Sequence, residues 1–137
     1  MQLAKQSGFT LLELLVVVAI IGLLASIAGP RLFSQVGKSQ VQVARAQLDA
    51  FDKALEQYRL DIGRMPSTEQ GLKVLTEAPP GEAKWRGPYL KRAVALDPWG
   101  NPYAYRSPAD KFDYEIVSYG RDGRPGGDGD DADIVMR

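Results

Sequence analysis

The 137-residue sequence has no cysteine and no histidine, and its 17 basic and 17 acidic side chains leave no formal net charge. Without cysteine there are no disulfides and no thiolate metal ligands. The compartment stays open, because exported proteins also do without cysteine. Without histidine the commonest general base and the usual zinc ligand are missing. Any acid–base chemistry would fall to Asp and Glu, which keeps a carboxylate-based hydrolase as the enzyme alternative. The balanced charge gives no electrostatic reason to expect nucleic acid as a partner. There is no internal repeat. The glycines of Gly120 to Gly129 precede no helical pattern, so a phosphate-cradling loop is not indicated.

What the sequence does have is one long hydrophobic run. Phe9 to Ala28 reads FTLLELLVVVAIIGLLASIA, with Glu13 its single charge. About 20 apolar residues as a helix span a hydrocarbon core of ~30 Å. A secretory signal peptide has a basic head, an apolar stretch of about 7–15 residues and a small-residue cleavage site. Here the head MQLAKQSG carries only Lys5 besides the terminal amine. The apolar run is too long, and it leads into Gly29-Pro30 and a further helical pattern. An ordinary transmembrane anchor is the plainer reading, and Glu13 argues against it. A carboxylate inside an apolar membrane helix costs roughly 2.5–3.5 kcal/mol, somewhat less near its end. Such a group needs a partner. A cut between Gly8 and Phe9 would create an α-amino cation at Phe9, four residues before Glu13 and one helical turn away.

The string Gly8-Phe9-Thr10-Leu11-Leu12-Glu13 resembles the processing site of type IV prepilins and type II secretion pseudopilins. The resemblance implies cleavage after Gly8 by a prepilin peptidase, N-methylation of Phe9, and Glu13 as the assembly carboxylate. The expected segments are a leader over 1–8, a transmembrane and assembly helix over 9–29, an amphipathic helix over 30–62, and a loop-rich domain over 63–137.

Gly29-Pro30 is expected to interrupt or bend the helix. Beyond it, Val41, Ala44, Leu48, Phe51, Leu55, Tyr58 and Ile62 recur at steps of three and four, an apolar stripe along one face. Gln42, Arg45, Asp49, Asp52, Lys53, Glu56 and Arg59 lie opposite, a polar face open to neighbouring subunits. Gly63 is a natural helix stop. Ser67 to Leu75 reads as a short capped helix, with Ser67 three residues before Gln70. Strands are expected over Pro102–Arg106, Tyr114–Ser118 and Asp133–Met136. Trp85, Tyr89, Trp99, Tyr103 and Tyr105 are assigned to the core, since large rings supply most of a small domain's buried area. The fold class is α+β, a long N-terminal helix packed on a small antiparallel sheet.

Four blocks sharpen the resemblance: YRLDIGRMPSTEQGLKVL (Tyr58 to Leu75), WRGPYLK (Trp85 to Lys91), DPWGNPYAYRSP (Asp97 to Pro108) and YEIVSYGRDGRPGG (Tyr114 to Gly127). They look like the major pseudopilin of type II secretion systems. Type IV pilins for adhesion, motility or DNA uptake share the N-terminal segment but not these blocks. The resemblance implies a structural subunit, not an enzyme, that polymerises into a periplasmic pseudopilus supporting export of folded proteins. It implies a single-pass inner-membrane protein with its C-terminal domain in the periplasm. Implied partners are further copies of itself, minor pseudopilins, the inner-membrane assembly platform and, indirectly, a cytoplasmic secretion ATPase.

The segment Asp122 to Asp133 holds five Asp and four Gly in 12 residues. Five carboxylates so close repel one another unless a cation sits among them. Calcium takes six to eight oxygens from a flexible set, whereas magnesium demands stricter octahedral geometry. The spacing is not that of an EF-hand. Composition alone leaves a solvated acidic turn and a metal site equally open. The resemblance implies calcium, with Asp122 and the carbonyl of Tyr119 among its ligands. The remaining carboxylates come from Asp128, Asp130, Asp131 and Asp133, and the choice among them stays open.

Overall fold

The computed structural model describes residues 8–137, so most of the expected leader, Lys5 included, lies outside the described residues. Helix α1 runs unbroken from Leu11 to Ile62. The expected interruption at Gly29-Pro30 is not there: Pro30 lies inside the helix. A proline in mid-helix removes one backbone donor and crowds one carbonyl. Here the helix continues on both sides of that single lost bond.

Two compact units divide the chain between Val36 and Gly37. The first is helical, and its large apolar side chains from Leu11 to Val36 are exposed. The second, Gly37 to Arg137, holds the core. Along its part of α1, Ala44, Leu48, Phe51, Ala54, Leu55, Tyr58 and Ile62 are buried, and Val41 is packed against them. This is the stripe read from the sequence. Gly63 ends the helix with φ +90°. Its N–H donates to the Arg59 carbonyl at 2.7 Å, a left-handed cap that a Cβ would penalise.

Ser67 and Gln70 make the expected reciprocal cap. The Ser67 N–H donates to Gln70 Oε1 at 2.9 Å, and the Gln70 N–H to Ser67 Oγ at 3.3 Å. The segment after the cap, Gly71–Leu75, is a 3-10 helix, not an α-helix. Gly71 sits at φ +61°, which breaks α-helical continuity at that point.

The sheet has three short antiparallel strands in the order β1-β2-β3. These are β1 (Ala104–Arg106), β2 (Glu115–Ser118) and β3 (Ile134–Met136). Ala104 pairs with Val117, and Ser118 with Ile134. Each strand lies within its expected span. β1 starts two residues after Pro102, which has no N–H for a ladder. Ile116 and Ile134 join the α1 stripe in one core. Trp85, Tyr89, Trp99, Tyr103 and Tyr105 pack around it, partly buried. A sheet this small is stable only against such a partner.

Candidate functional site

At the N-terminal end, α1 starts at Leu11, so Phe9 and Thr10 precede the helix. The Glu13 N–H donates to Thr10 Oγ1 at 3.1 Å and the Leu14 N–H to the Thr10 carbonyl at 3.2 Å. Thr10 is therefore the N-cap, and Glu13 is the acid of the first turn. Gly8 has open space around its Cα, and Phe9 is exposed. In the uncut chain the Phe9 nitrogen is a peptide, so the cation that Glu13 was expected to meet arises only on cleavage.

The acidic loop joins β2 to β3. Its carboxylates do not converge: among the described residues no three acidic groups form a cluster that would hold a metal ion. Asp122 Oδ1 accepts the Arg124 N–H at 3.1 Å, and Asp133 Oδ2 accepts the Gly126 N–H at 3.0 Å. Asp128 opens a 3-10 turn over Gly129–Asp131, its carbonyl accepting the Asp131 N–H at 3.1 Å. Asp130 and Asp131 share one cation, Arg121. Its Nε and Nη2 lie 3.0 and 3.3 Å from the two Asp131 oxygens, and its Nη1 lies 3.8 Å from Asp130 Oδ2. Asp131 accordingly pushes the guanidinium above its ordinary range. Tyr119 stands at the end of β2, half-buried, just before the loop turns.

Two glycines let the loop fold onto itself. A Cβ on Gly120, at φ +67°, would lie 2.9 Å from the carbonyl oxygens of both Asp130 and Asp131. One on Gly127, at φ +94°, would lie 2.5 Å from the Asp131 carbonyl oxygen. A third glycine seats the loop on α1. A Cβ on the buried Gly37 would lie 2.5 Å from Asp130 Oδ1, so the absent side chain is what admits this carboxylate.

Comparison with known families matches residues 31–137 to "Type II secretion system (T2SS), protein G" and residues 3–29 to "Prokaryotic N-terminal methylation motif". The chain belongs to the type II secretion system protein G family. The type II secretion system core protein G of Pseudomonas aeruginosa is 44% identical, the match covering 98% of this chain and 96% of that protein. The Vibrio cholerae protein of the same name is also 44% identical, over 97% and 92%. The major pseudopilin from the type 2 secretion system of enterohaemorrhagic Escherichia coli superposes with a TM-score of 0.62. That match has 35% identity and covers 77% of this chain and 93% of the other. Protein G chains are structural subunits, and the methylation motif with one apolar N-terminal helix makes this one a membrane-anchored member.

For a protein G chain the acidic loop has the donor chemistry that calcium takes: carboxylates and backbone carbonyls, with no nitrogen or sulfur ligand. Beside Gly120 and Gly127 the space is taken by the carbonyls of Asp130 and Asp131 themselves. The carboxylates themselves are turned to Arg121 and to backbone N–H groups, so a metal would have to compete with these partners. Four residues that shape the loop escaped the sequence reading: Gly37, Arg121, Asn101, whose Nδ2 donates to the Gly120 carbonyl at 2.9 Å, and Asp97, whose Oδ2 accepts the Ser118 hydroxyl at 2.7 Å. The signals were there, in a lone glycine within the helical pattern, an Asp-Pro-Trp-Gly-Asn turn and a cation amid the acids, but their partners are distant in sequence.

Proposed function

We propose that this chain is the repeating, non-catalytic subunit of a pseudopilus, inserted once in the inner membrane with its C-terminal unit in the periplasm. The observation that carries this reading is the first unit. Its helix exposes large apolar side chains from Leu11 to Val36, with one carboxylate in its first turn. An isolated soluble protein does not leave such a face bare. A bilayer covers it before assembly, and the same helix of neighbouring copies covers it afterwards. A prepilin peptidase cuts between Gly8 and Phe9, and the methylated Phe9 amine then meets Glu13 of its own or an adjacent chain.

Energy for assembly comes from outside the chain, through the assembly platform and a cytoplasmic ATPase, and minor pseudopilins complete the filament. Calcium belongs to this reading too. Bound by the Tyr119 carbonyl, Asp122 and carboxylates from Asp128, Asp130, Asp131 and Asp133, it would neutralise the loop's mutual repulsion and tie its two ends together. Mass action makes such a site stabilising: metal at 100 times its dissociation constant adds about 2.7 kcal/mol to the native state.

The test is expression of the full chain with the family's assembly machinery, with electron microscopy and mass spectrometry of sheared filaments. The expected result is filaments whose subunits begin at a methylated Phe9. Subunits beginning at Met1 in assembled filaments would overturn the processing step. Absence of filaments under conditions that assemble a related protein G would overturn the polymer itself.

A further inference from the structure

Asp122–Gly123 and Asp128–Gly129 are the two Asp-Gly pairs of the sequence, and both lie exposed between β2 and β3. In such a pair the side-chain carboxyl can close on the next backbone nitrogen, because glycine has no Cβ to obstruct the approach. The fold holds the two pairs differently.

The first pair is tied on three sides. Asp122 Oδ1 accepts the Arg124 N–H at 3.1 Å, and the Gly123 N–H donates to the Gly120 carbonyl at 3.4 Å. Gly123 also lies against Asn101, since a Cβ on it would be 3.1 Å from Asn101 Oδ1. Asn101 is itself fixed: its Nδ2 donates to the Gly120 carbonyl at 2.9 Å and its N–H to Asp97 Oδ1 at 2.8 Å. Turning the Asp122–Gly123 peptide would disturb all of these contacts together.

The second pair is loose. Asp128 precedes the 3-10 turn without a side-chain capping bond, and among the described residues its carboxylate meets neither a donor nor a cation. The Gly129 N–H has no acceptor among them either, and a Cβ on Gly129 would have nothing within 4 Å. Asp128 is extended, at φ −130° and ψ 157°, so its carboxyl reaches the Gly129 nitrogen only after that peptide turns. One hydrogen bond resists the turn, from the Asp131 N–H to the Asp128 carbonyl at 3.1 Å. Local opening against a single exposed bond is easy.

We propose that Asp128–Gly129 is a self-modification site, where the aspartyl–glycyl bond isomerises to isoaspartyl. The Gly129 nitrogen bonds to Asp128 Cγ and gives up its proton, and one carboxyl oxygen leaves as water. Water then opens the succinimide. Opening at the former side-chain carbonyl restores aspartate. Opening at the former backbone carbonyl leaves isoaspartate, with no net change in atoms. The main chain then runs through Cγ, one methylene longer, and the carbonyl that accepted the Asp131 N–H becomes a free carboxylate. The turn that carries Asp130 to Gly37 and Asp131 to Arg121 thereby loses its opening bond. No metal enters this chemistry.

The experiment holds the full chain in chelator near neutral pH for several weeks, native in detergent in one sample and unfolded in urea in another. Electron-transfer fragmentation of the peptides separates isoaspartate from aspartate, and the succinimide shows as the loss of one water. Each pair is compared with its own rate in urea. In the native chain Asp122 is expected to slow severalfold, and Asp128 to keep most of its unfolded rate. Native Gly129→Ala should lose most of the conversion at Asp128 and leave Asp122 as it was. Chain converted at Asp128 should exchange the Asp131 amide hydrogen faster than fresh chain. Equal slowing of both pairs in the native chain, or faster conversion at Asp122, would overturn the proposal. So would an unchanged rate at Asp128 in Gly129→Ala, or no isoaspartate at Asp128 in native chain when the urea sample has converted. Unaltered exchange at Asp131 would overturn the loosening of the turn.

Discussion

Glu13 has two physical reasons to sit where it does, and they differ in size. As an acid in the first turn of α1 it meets the positive end of the helix dipole, worth about 0.3–1 kcal/mol. Burial in an apolar medium costs more than that, up to roughly 2.5–3.5 kcal/mol at the centre of a membrane helix. The difference requires a cation, and the Phe9 amine that the proposed cleavage would free is the one nearest in sequence. Glu13→Gln separates the two terms, because the amide keeps the size and helix propensity but not the charge. We expect Glu13→Gln and Glu13→Leu both to reach the membrane fraction as fully as the wild type. Both should lose most of the sheared filament yield. Wild-type filaments from Glu13→Gln would remove the ion pair from the account. Glu13 stands out in the sequence because its oddity is local, one charge in a 20-residue apolar run, and the structure places it in the first turn of α1. Gly63 and the Ser67–Gln70 cap were legible for the same reason. Asp97 was not: it reads as an ordinary turn former until the fold brings it to Ser118, 21 residues away.

Among the elements, the helix stripe could be read in advance from its hydrophobic period, and the three strands from β-branched and aromatic runs bounded by turn formers. Two local conformations could not. Pro30 was expected to interrupt or bend α1; it does not interrupt it, because a proline costs the helix only one bond and some crowding, which long flanks absorb. The Ser67–Leu75 segment was expected to be a short capped helix; the cap is there, but Gly71 takes a left-handed φ that no spacing rule reveals, and only Gly71–Leu75 is helical, as a 3-10 turn. The acidic loop is the element whose content was half legible. Its five carboxylates were plain, whereas the partner that takes two of them, Arg121, was passed over. Arg121 supplies one positive charge to Asp130 and Asp131 from an exposed position, where such pairs contribute about 0–1 kcal/mol to stability. Any calcium in the loop is repelled by the same charge. Arg121→Gln is therefore expected to act in opposite directions on the two properties. Melting in chelator should change little or fall slightly. Calcium affinity should rise by roughly three- to tenfold, the size of one unit charge a few ångströms away in a high-dielectric setting. Added salt should shrink the gain by screening. Weaker calcium binding by Arg121→Gln would mean that the guanidinium orients Asp131 for the metal and does not oppose it.

At the scale of the whole second unit, α1 is joined to the rest of the chain through tyrosine hydroxyls as well as through its apolar stripe. Tyr103 reaches Gln47, Tyr114 reaches Asp52, and Tyr89 donates to Asp61 at 2.9 Å. Nearby, Tyr105 donates to the Pro66 carbonyl at 2.9 Å. Burial disfavours the phenolate in every one of them and pushes all four upward, Tyr105 to about 12. At Tyr114 the hydrogen bond to Asp52 adds to that effect. A phenolate cannot donate these bonds, and against Asp52 or Asp61 it would also face a like charge. These upward shifts set the sign of the pH dependence. An unfolded tyrosine loses its proton near pH 10, so between about 10 and 12 the unfolded chain holds fewer protons than the folded one, and stability falls as pH rises. Below about pH 10 the contribution is fully present. We expect melting of the full chain in detergent and chelator, monitored by Trp85 and Trp99 fluorescence, to be level from pH 8 to about 10. It should then fall steeply. Tyr105→Phe should begin lower, by about 1 kcal/mol for the lost neutral hydrogen bond. It should then decline less steeply, so that the two curves close on each other above about pH 11. Parallel curves across the whole range would mean that Tyr105 ionises in the folded chain as readily as in the unfolded one, and that its ring is not part of the alkaline limit.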